Sequence, residues 1–184
     1  MPRAGLSSAI VVSEAADLAD EVGYGRLTLA ALAERLGVRQ PSLYKHIDSM
    51  DDLQRGIAVE AKRELGDVLG RASIGRAGPD AVRAMAQAYR SWVLEHPGRY
   101  AATVRAPEDD EDRAASDQVV AVVLAVLAGF GLKGNTAIDA ARSLRSALHG
   151  FVSLEAGGGF GLPRQATNSF NFLVELLITG LENR

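Results

Sequence analysis

Apolar residues recur at three- and four-residue steps along almost the whole chain, a period that belongs to the α-helix and not to the strand. Val11, Ala15, Leu18, Ala19 and Val22 form the first such stripe, and Gly23 and Gly25 end it. Thr28 then precedes Leu29, Leu32, Ala33 and Leu36, which reads as a second, very short helix with Thr28 as its N-cap and Gly37 as its stop. After the glycine turn, the stretch 40–47 begins with Gln40 and Pro41 and predicts a third short helix, because proline is tolerated in a first turn. Asp48 or Ser49 can cap a fourth and longer helix, striped by Leu53, Ile57, Ala61, Leu65 and Leu69.

The segment 73–79, with two glycines and a proline, breaks the pattern and marks a boundary. It suggests a first domain over 1–50, a linking helix over 51–72 and a second domain over 73–184. In the second, Val82, Met85, Ala86, Tyr89, Trp92 and Val93 share one helix, which His96-Pro97-Gly98 closes, and a short helix follows over 99–105. The five carboxylates Glu108 to Asp112 read as an exposed loop, since adjacent like charges resist unpaired burial; a metal site there would need ligands that converge. Residues 116–130 are apolar nearly all round, as in a central helix surrounded by others. Helices over 136–155 and 169–181 flank the glycine-rich loop 157–163, which is no dinucleotide loop because no strand precedes it.

Composition narrows the function classes. The 184 residues are 47% hydrophobic and only 5% aromatic, which suits an all-α protein with a sizeable core. The absence of cysteine excludes disulfides, thiolate metal sites and thiol catalysis. Twenty Lys and Arg against 23 Asp and Glu give a net charge of −3, so a polyanionic partner must be argued from a local patch. No signal-like start and no apolar run approaching about 20 residues is found, so a cytoplasmic protein without a membrane partner is expected. No Glu-x-x-His pair, phosphate-loop lysine or nucleophile elbow supports an enzyme, and nothing calls for a cofactor.

Two short helices meeting at a tight glycine turn have the shape of a helix-turn-helix, whose second helix enters a DNA major groove. Leu43 and Ile47, four apart, can face the core and leave Gln40, Pro41, Ser42, Tyr44 and Lys45 outside. The first 47 residues balance their charges, but the stretch 39–47 holds Arg39, Lys45 and His46 and no acid. Blander readings remain open: Tyr44 can pack beneath the turn, and Lys45 and His46 can be solvated surface.

The wording of the stretch 27–38, Leu-Thr-Leu-Ala-Ala-Leu-Ala-Glu-Arg-Leu-Gly-Val, followed by Pro41-Ser42-Leu43-Tyr44-Lys45-His46 and Leu53, resembles the DNA-binding domain of TetR-family transcriptional regulators. The resemblance implies an N-terminal three-helix DNA-binding domain and a C-terminal helical bundle for ligand binding and dimerisation. It implies that Thr28 bonds a phosphate, that Gln40, Pro41 and Ser42 lie at base edges, and that Tyr44, Lys45 and His46 lie at the backbone or outer bases. Arg39 stands where the family often has a small N-cap, and trades that cap for a phosphate contact. Ile47 replaces a usual Phe, and Met50 a Lys that often touches phosphate. The stretch 148–163, from Leu148-His149-Gly150-Phe151 to Pro163, is similar to the subfamily with a Trp-His-Gly signature, with Trp92 as its first member.

The partners then expected are double-stranded operator DNA, a small-molecule effector and a second copy of the chain. The candidate effector-contacting residues are Met85, Tyr89, Trp92, Tyr100, Phe130 and His149; at helical spacing Met85, Tyr89, Trp92 and Phe130 fit a core more readily than a pocket, and His149 fits a hydrogen-bonded structural role. The dimer seam is expected at Leu144, Leu148, Phe151, Phe170, Leu173 and Leu177, an apolar side without other obvious cover. The expected function is a repressor released from a palindromic operator by a mostly apolar effector; the alternative is a helical adaptor that binds only protein.

Overall fold

A computed structural model describes residues 5–183, and among these the regular structure is entirely helical. The α-helices are α1 (Ser8–Val22), α2 (Leu29–Leu36), α3 (Met50–Ser73), α4 (Gly78–Glu95), α5 (Pro97–Thr103), α6 (Asp110–Ala128), α7 (Gly134–Ala156) and α8 (Ala166–Glu182). Two 3-10 helices, Tyr24–Arg26 and Gln40–Lys45, lie among the first of them. Ser49 caps α3 by accepting the Asp52 N–H (3.0 Å), while the Asp52 carboxylate reaches back to the Asp48 N–H (3.0 Å). The chain forms two compact units, Met1–Glu64 with Glu95–Ser116, and Leu65–Leu94 with Asp117–Arg184. The linear division suggested by the 73–79 break is thus crossed by residues 95–116, which return to the first unit.

The first unit has a core of Val11, Ala15, Ala16, Leu18 and Ala19 from α1, Leu32 and Ala33 from α2, Leu43 and Ile47, and Leu53, Ile57 and Ala58 from α3. Ala102 of α5 completes it. Gly98 lets α5 sit directly on α1: a Cβ there would lie 2.2 Å from the Ala19 carbonyl oxygen and 2.5 Å from the Asp20 nitrogen. Beside that contact the Asp20 carboxylate accepts the Arg99 backbone N–H (2.8 Å) and pairs with the Arg99 guanidinium, and His96 Nδ1 lies 3.2 Å away. Arg99 also donates to Asp17 (2.7 Å) and lies 3.5 Å from Glu64, so one largely buried guanidinium spans α1 and α3.

The acidic run 108–112 is not the wholly exposed loop its charge suggested. Asp110 starts α6, and Asp112 is 2% exposed, paired with the equally buried Lys62 of α3. Glu111 pairs with Arg63 (3.0 Å), Asp109 with Arg55 (3.2 Å), and Glu108 with Arg105. Like charges adjacent in sequence are compatible with burial when a helical turn fans them out and cations on another helix meet them.

In the second unit, α4 buries Val82, Met85, Ala86, Tyr89, Trp92 and Val93 along one face. α7 buries Ala137, Ala140, Leu144, Leu148 and Val152, and packs on α8 through Phe170, Val174, Ile178 and Leu181. Polar ties from α4 border these faces: Arg83 to Glu175 (2.6 Å), Gln87 to Asn171 (2.6 Å), and Arg90 to Glu155 (2.8 Å) and Thr167 (3.1 Å). The helix expected to be central is not: Val120 is 46% exposed, and of residues 117–128 of α6 only Val126 and Leu127 are buried. Its Val and Ala content made it apolar all round without supplying neighbours for every face.

Removing one member of a buried ion pair strands the other. Lys62→Met is expected to lower unfolding free energy by about 3–5 kcal/mol, whereas Lys62→Met with Asp112→Leu recovers most of that loss, as read by urea denaturation. A second expectation concerns Glu60, whose carboxyl is pushed above the usual range by partial burial and by Glu64, against the pull of Arg99. The folded state therefore holds this proton more tightly than the unfolded state, so the group lowers stability as pH rises through the window just above the ordinary carboxylate range. Glu60→Gln should raise the melting temperature at neutral pH, by under about 1 kcal/mol in stability, and the difference from the parent chain should vanish as pH falls through that window.

Candidate nucleic-acid interface

The exposed end of the first unit is built around Gly37. The Thr28 hydroxyl accepts the Ala31 N–H (3.2 Å) and starts α2; Gly37, at φ 66° and ψ 33°, ends it in the left-handed conformation that glycine alone adopts readily. Leu32 and Ala33 turn α2 into the core, and Val38 and Arg39 lead to the next element. That element, Gln40–Lys45, is a 3-10 helix where a third α-helix was predicted. The Ser42 N–H bonds the Arg39 carbonyl (2.8 Å) and the His46 N–H the Leu43 carbonyl (2.8 Å). Arg39 supplies no side-chain cap and Pro41 has no N–H, so so short a helix tightens into i to i+3 bonds.

Leu43 is fully buried and Ile47 nearly so, as their spacing predicted. Thr28, Arg39, Gln40, Pro41, Tyr44 and Lys45 are exposed, and Ser42 and His46 are half-buried. Tyr44 is 52% exposed, which removes the reading in which its ring packs beneath the turn. All eight candidate DNA-contacting residues thus lie on or beside two short, rigidly anchored helices.

The electrostatics of this end are set by which charges are already engaged. Arg35 is tied to Glu14 (2.8 Å) and Glu21 (2.8 Å) of α1, and those hydrogen bonds raise its pKa further. Among the described residues Arg39 and Lys45 pair with no carboxylate. Arg26, two residues before Thr28, adds an exposed cation that the resemblance did not single out; its only sequence signal was a basic residue just after the α1 stop. The start of α3 is closed to phosphate by contrast: Asp51 and Asp52 occupy its first turn, the Ser49 and Asp52 side chains satisfy its backbone, and Met50 packs against the core.

The other candidates divide differently. Met85, Tyr89 and Trp92 lie on the buried face of α4, and Phe130 and His149 are half-buried in the same unit, His149 Nδ1 being 3.4 Å from the Ser153 hydroxyl. Tyr100, at the end of a buried stretch of α5, belongs to the first unit. Leu144, Leu148 and Phe170, expected at a dimer seam for want of other cover, are buried within a single chain, because each sits on the stripe that α7 and α8 turn inward. Phe151, Leu173 and Leu177 are half-buried, Phe151 lying between Phe160 (4.8 Å) and Phe170 (5.2 Å). From residue 151 onward the exposed large apolar residues are Leu154, Phe160, Leu162, Phe172 and Leu176. Phe172 and Leu176, four apart, form a second stripe on α8 that was visible in the sequence beside the first.

Residues 11–57 match the family model of bacterial regulatory proteins of the tetR family, and residues 82–177 match the tetracyclin repressor-like C-terminal domain. The chain is 45% identical to the uncharacterized HTH-type transcriptional regulator Rv0681 of Mycobacterium tuberculosis over 84% of this chain and 72% of that one. It is 35% identical to the uncharacterized HTH-type transcriptional regulator YobS of Bacillus subtilis over 98% and 95%. Among solved structures the fold is similar to BioQ with its double-stranded DNA operator (TM-score 0.72, 20% identity, 98% and 100% covered). It is similar also to a TetR variant of Acinetobacter baumannii in complex with minocycline (TM-score 0.74, 22% identity, 97% and 98% covered). The matched helix-turn-helix and C-terminal domain together place the chain in the TetR family of DNA-binding, helix-turn-helix transcriptional regulators, which are not enzymes.

Proposed function

We propose that the chain acts as a homodimeric repressor that leaves a palindromic operator when a small, largely apolar effector binds. The observation that carries the DNA reading is the Gln40–Lys45 helix, anchored through Leu43 and carrying Gln40, Pro41, Tyr44 and Lys45 outward. Gln40, Pro41 and Ser42 meet base edges in the major groove, and Thr28, Arg39, Tyr44, Lys45 and His46 meet the backbone or outer bases. Two copies present two such helices about 34–36 Å apart or a multiple of that. A structural neighbour bound to operator DNA, BioQ, is consistent with this mode.

The effector site is proposed within the second unit, from Met85, Tyr89 and Trp92 on the buried face of α4 together with the half-buried Phe130 and His149. The minocycline complex of a TetR variant, a neighbour in fold, supports a small-molecule role for this domain. The Trp-His-Gly subfamily reading rests on Trp92 and the stretch from His149 to Pro163. An effector releases DNA only if it binds the two states unequally, by a coupling of about 1–3 kcal/mol. For the dimer, the stripe of Phe172 and Leu176, with Leu154 and the half-buried Leu173 and Leu177, replaces the inward-facing residues first considered. No helix among the described residues is long and apolar enough to cross a membrane.

Two tests follow from these assignments. Duplexes selected by the parent chain from a random-sequence pool should show inverted half-sites; Tyr44→Ala with Lys45→Ala should abolish their gel shift with helical content unchanged. Lys45→Ala alone should reduce the slope of log affinity against log salt by about one. Persistence of the shift in the double variant would place the contacts elsewhere. For the seam, Phe172→Asp with Leu176→Asp should yield a folded monomer in analytical ultracentrifugation, while Leu144→Asp should lose about 3–5 kcal/mol of stability through burial of a charge.

A further inference from the structure

The residues that reach α1 from behind lie outside the stretch matched as the DNA-binding domain. α1 supplies the floor on which Leu32, Ala33 and Leu43 pack, and Arg35 ties it to α2 through Glu14 and Glu21. On its other side α1 meets α5, with the Gly98 backbone against Ala19 and no room for a side chain between them. The position of α5 along α1 is then fixed by charge. Asp20 receives both the backbone N–H and the guanidinium of Arg99, and the same guanidinium reaches Asp17 and Glu64. The groups facing it are Asp17 and Asp20 of α1, Glu60 and Glu64 of α3, and His96 before α5, so four carboxylates converge near one arginine, with Ser13 of α1 hydrogen-bonded to Glu60.

We infer that Arg99 and Asp20 are positioning residues for DNA binding: their pairing holds α1, and through Arg35 and the shared core the Gln40–Lys45 helix, in the attitude that reads DNA. Neither residue touches DNA in the proposed docking. The inference rests on the DNA reading given above, and it extends the DNA-reading unit to residues far along the chain from the helix-turn-helix. A buried fork of this kind has few alternative geometries, because a planar guanidinium with two carboxylates on one helix accepts little rotation of that helix. Lysine keeps the charge and loses the fork.

The experiment uses the full-length chain and a duplex selected by that chain from a random-sequence pool, with the active fraction titrated so that misfolded protein does not enter the dissociation constant. Arg99→Met and Asp20→Asn are each expected to weaken binding on the order of tenfold, with the salt slope unchanged because no phosphate contact is lost. The double variant should be no weaker than the weaker single, and Arg99→Lys should recover part of the affinity of Arg99→Met. Dissociation constants within twofold of the parent chain for the active fractions of Arg99→Met and Asp20→Asn would overturn the inference, leaving the cluster a stabiliser only. A changed salt slope would overturn it also, by making Arg99 a direct phosphate contact. A parent chain that selects no duplex would overturn both this inference and the DNA reading beneath it.

Discussion

A helix of six residues has no stability of its own, since nucleation costs more than so few backbone bonds return. Everything the Gln40–Lys45 segment does therefore depends on the burial of Leu43 and Ile47 against α1, α2 and α3. Each contributes about 1.5–3 kcal/mol when removed from water, enough to hold two short turns against fraying. The same anchoring frees the other side chains. Because Leu43 carries the packing, Gln40, Pro41, Tyr44 and Lys45 can be chosen for what they present to a partner, and an all-helical scaffold can carry varied recognition residues without refolding.

A chain of net charge −3 binds a polyanion only if its acids are placed or neutralised elsewhere. In the first unit that partition is visible in the pairs. Arg35 engages Glu14 and Glu21, Arg99 engages Asp17 and Asp20, and Lys62 engages Asp112. Asp51 and Asp52 sit at the start of α3, where a helix dipole favours them. Arg39 and Lys45 remain without a carboxylate partner among the described residues, within a stretch that contains no acid. The local field is the quantity that matters for phosphate, and the total charge hides it because most of the offsetting acids are bound to cations that the count treats as free.

How much of this was legible beforehand follows the range of the interaction. Thr28 as a cap, Gly37 as a stop, and the buried stripe of Leu53, Ile57, Ala61, Leu65 and Leu69 depend on neighbours within a few residues, and the periodic pattern carries such information directly. The tightening of residues 40–45 into a 3-10 helix turns on a missing cap and on chain length, which periodicity does not weigh. The acidic run failed for a tertiary reason: nothing near Asp112 in sequence announces Lys62 on α3. The apolar stripe of Leu144 and Leu148 on α7 has its cover within the chain, because α8 carries two apolar stripes and only one of them can face the chain's own core.

The seam between α1 and α5 was the least legible feature for a more basic reason. Its central fact is the absence of a side chain at Gly98, and a glycine that permits close backbone approach looks, in a string of letters, like the glycine of any turn. His96-Pro97-Gly98 was read as the end of α4, which it is, but the same residues also start the helix that completes the first core through Ala102. A unit assembled from residues 5–64 and 95–116 has part of its core delivered by a segment on the far side of α4 in sequence. The folding of the DNA-reading core is therefore tied covalently and electrostatically to chain beyond the helix-turn-helix. That dependence is a physical reason for the helix-turn-helix of this protein to need residues 95–116 for its core, where an autonomous three-helix domain would not.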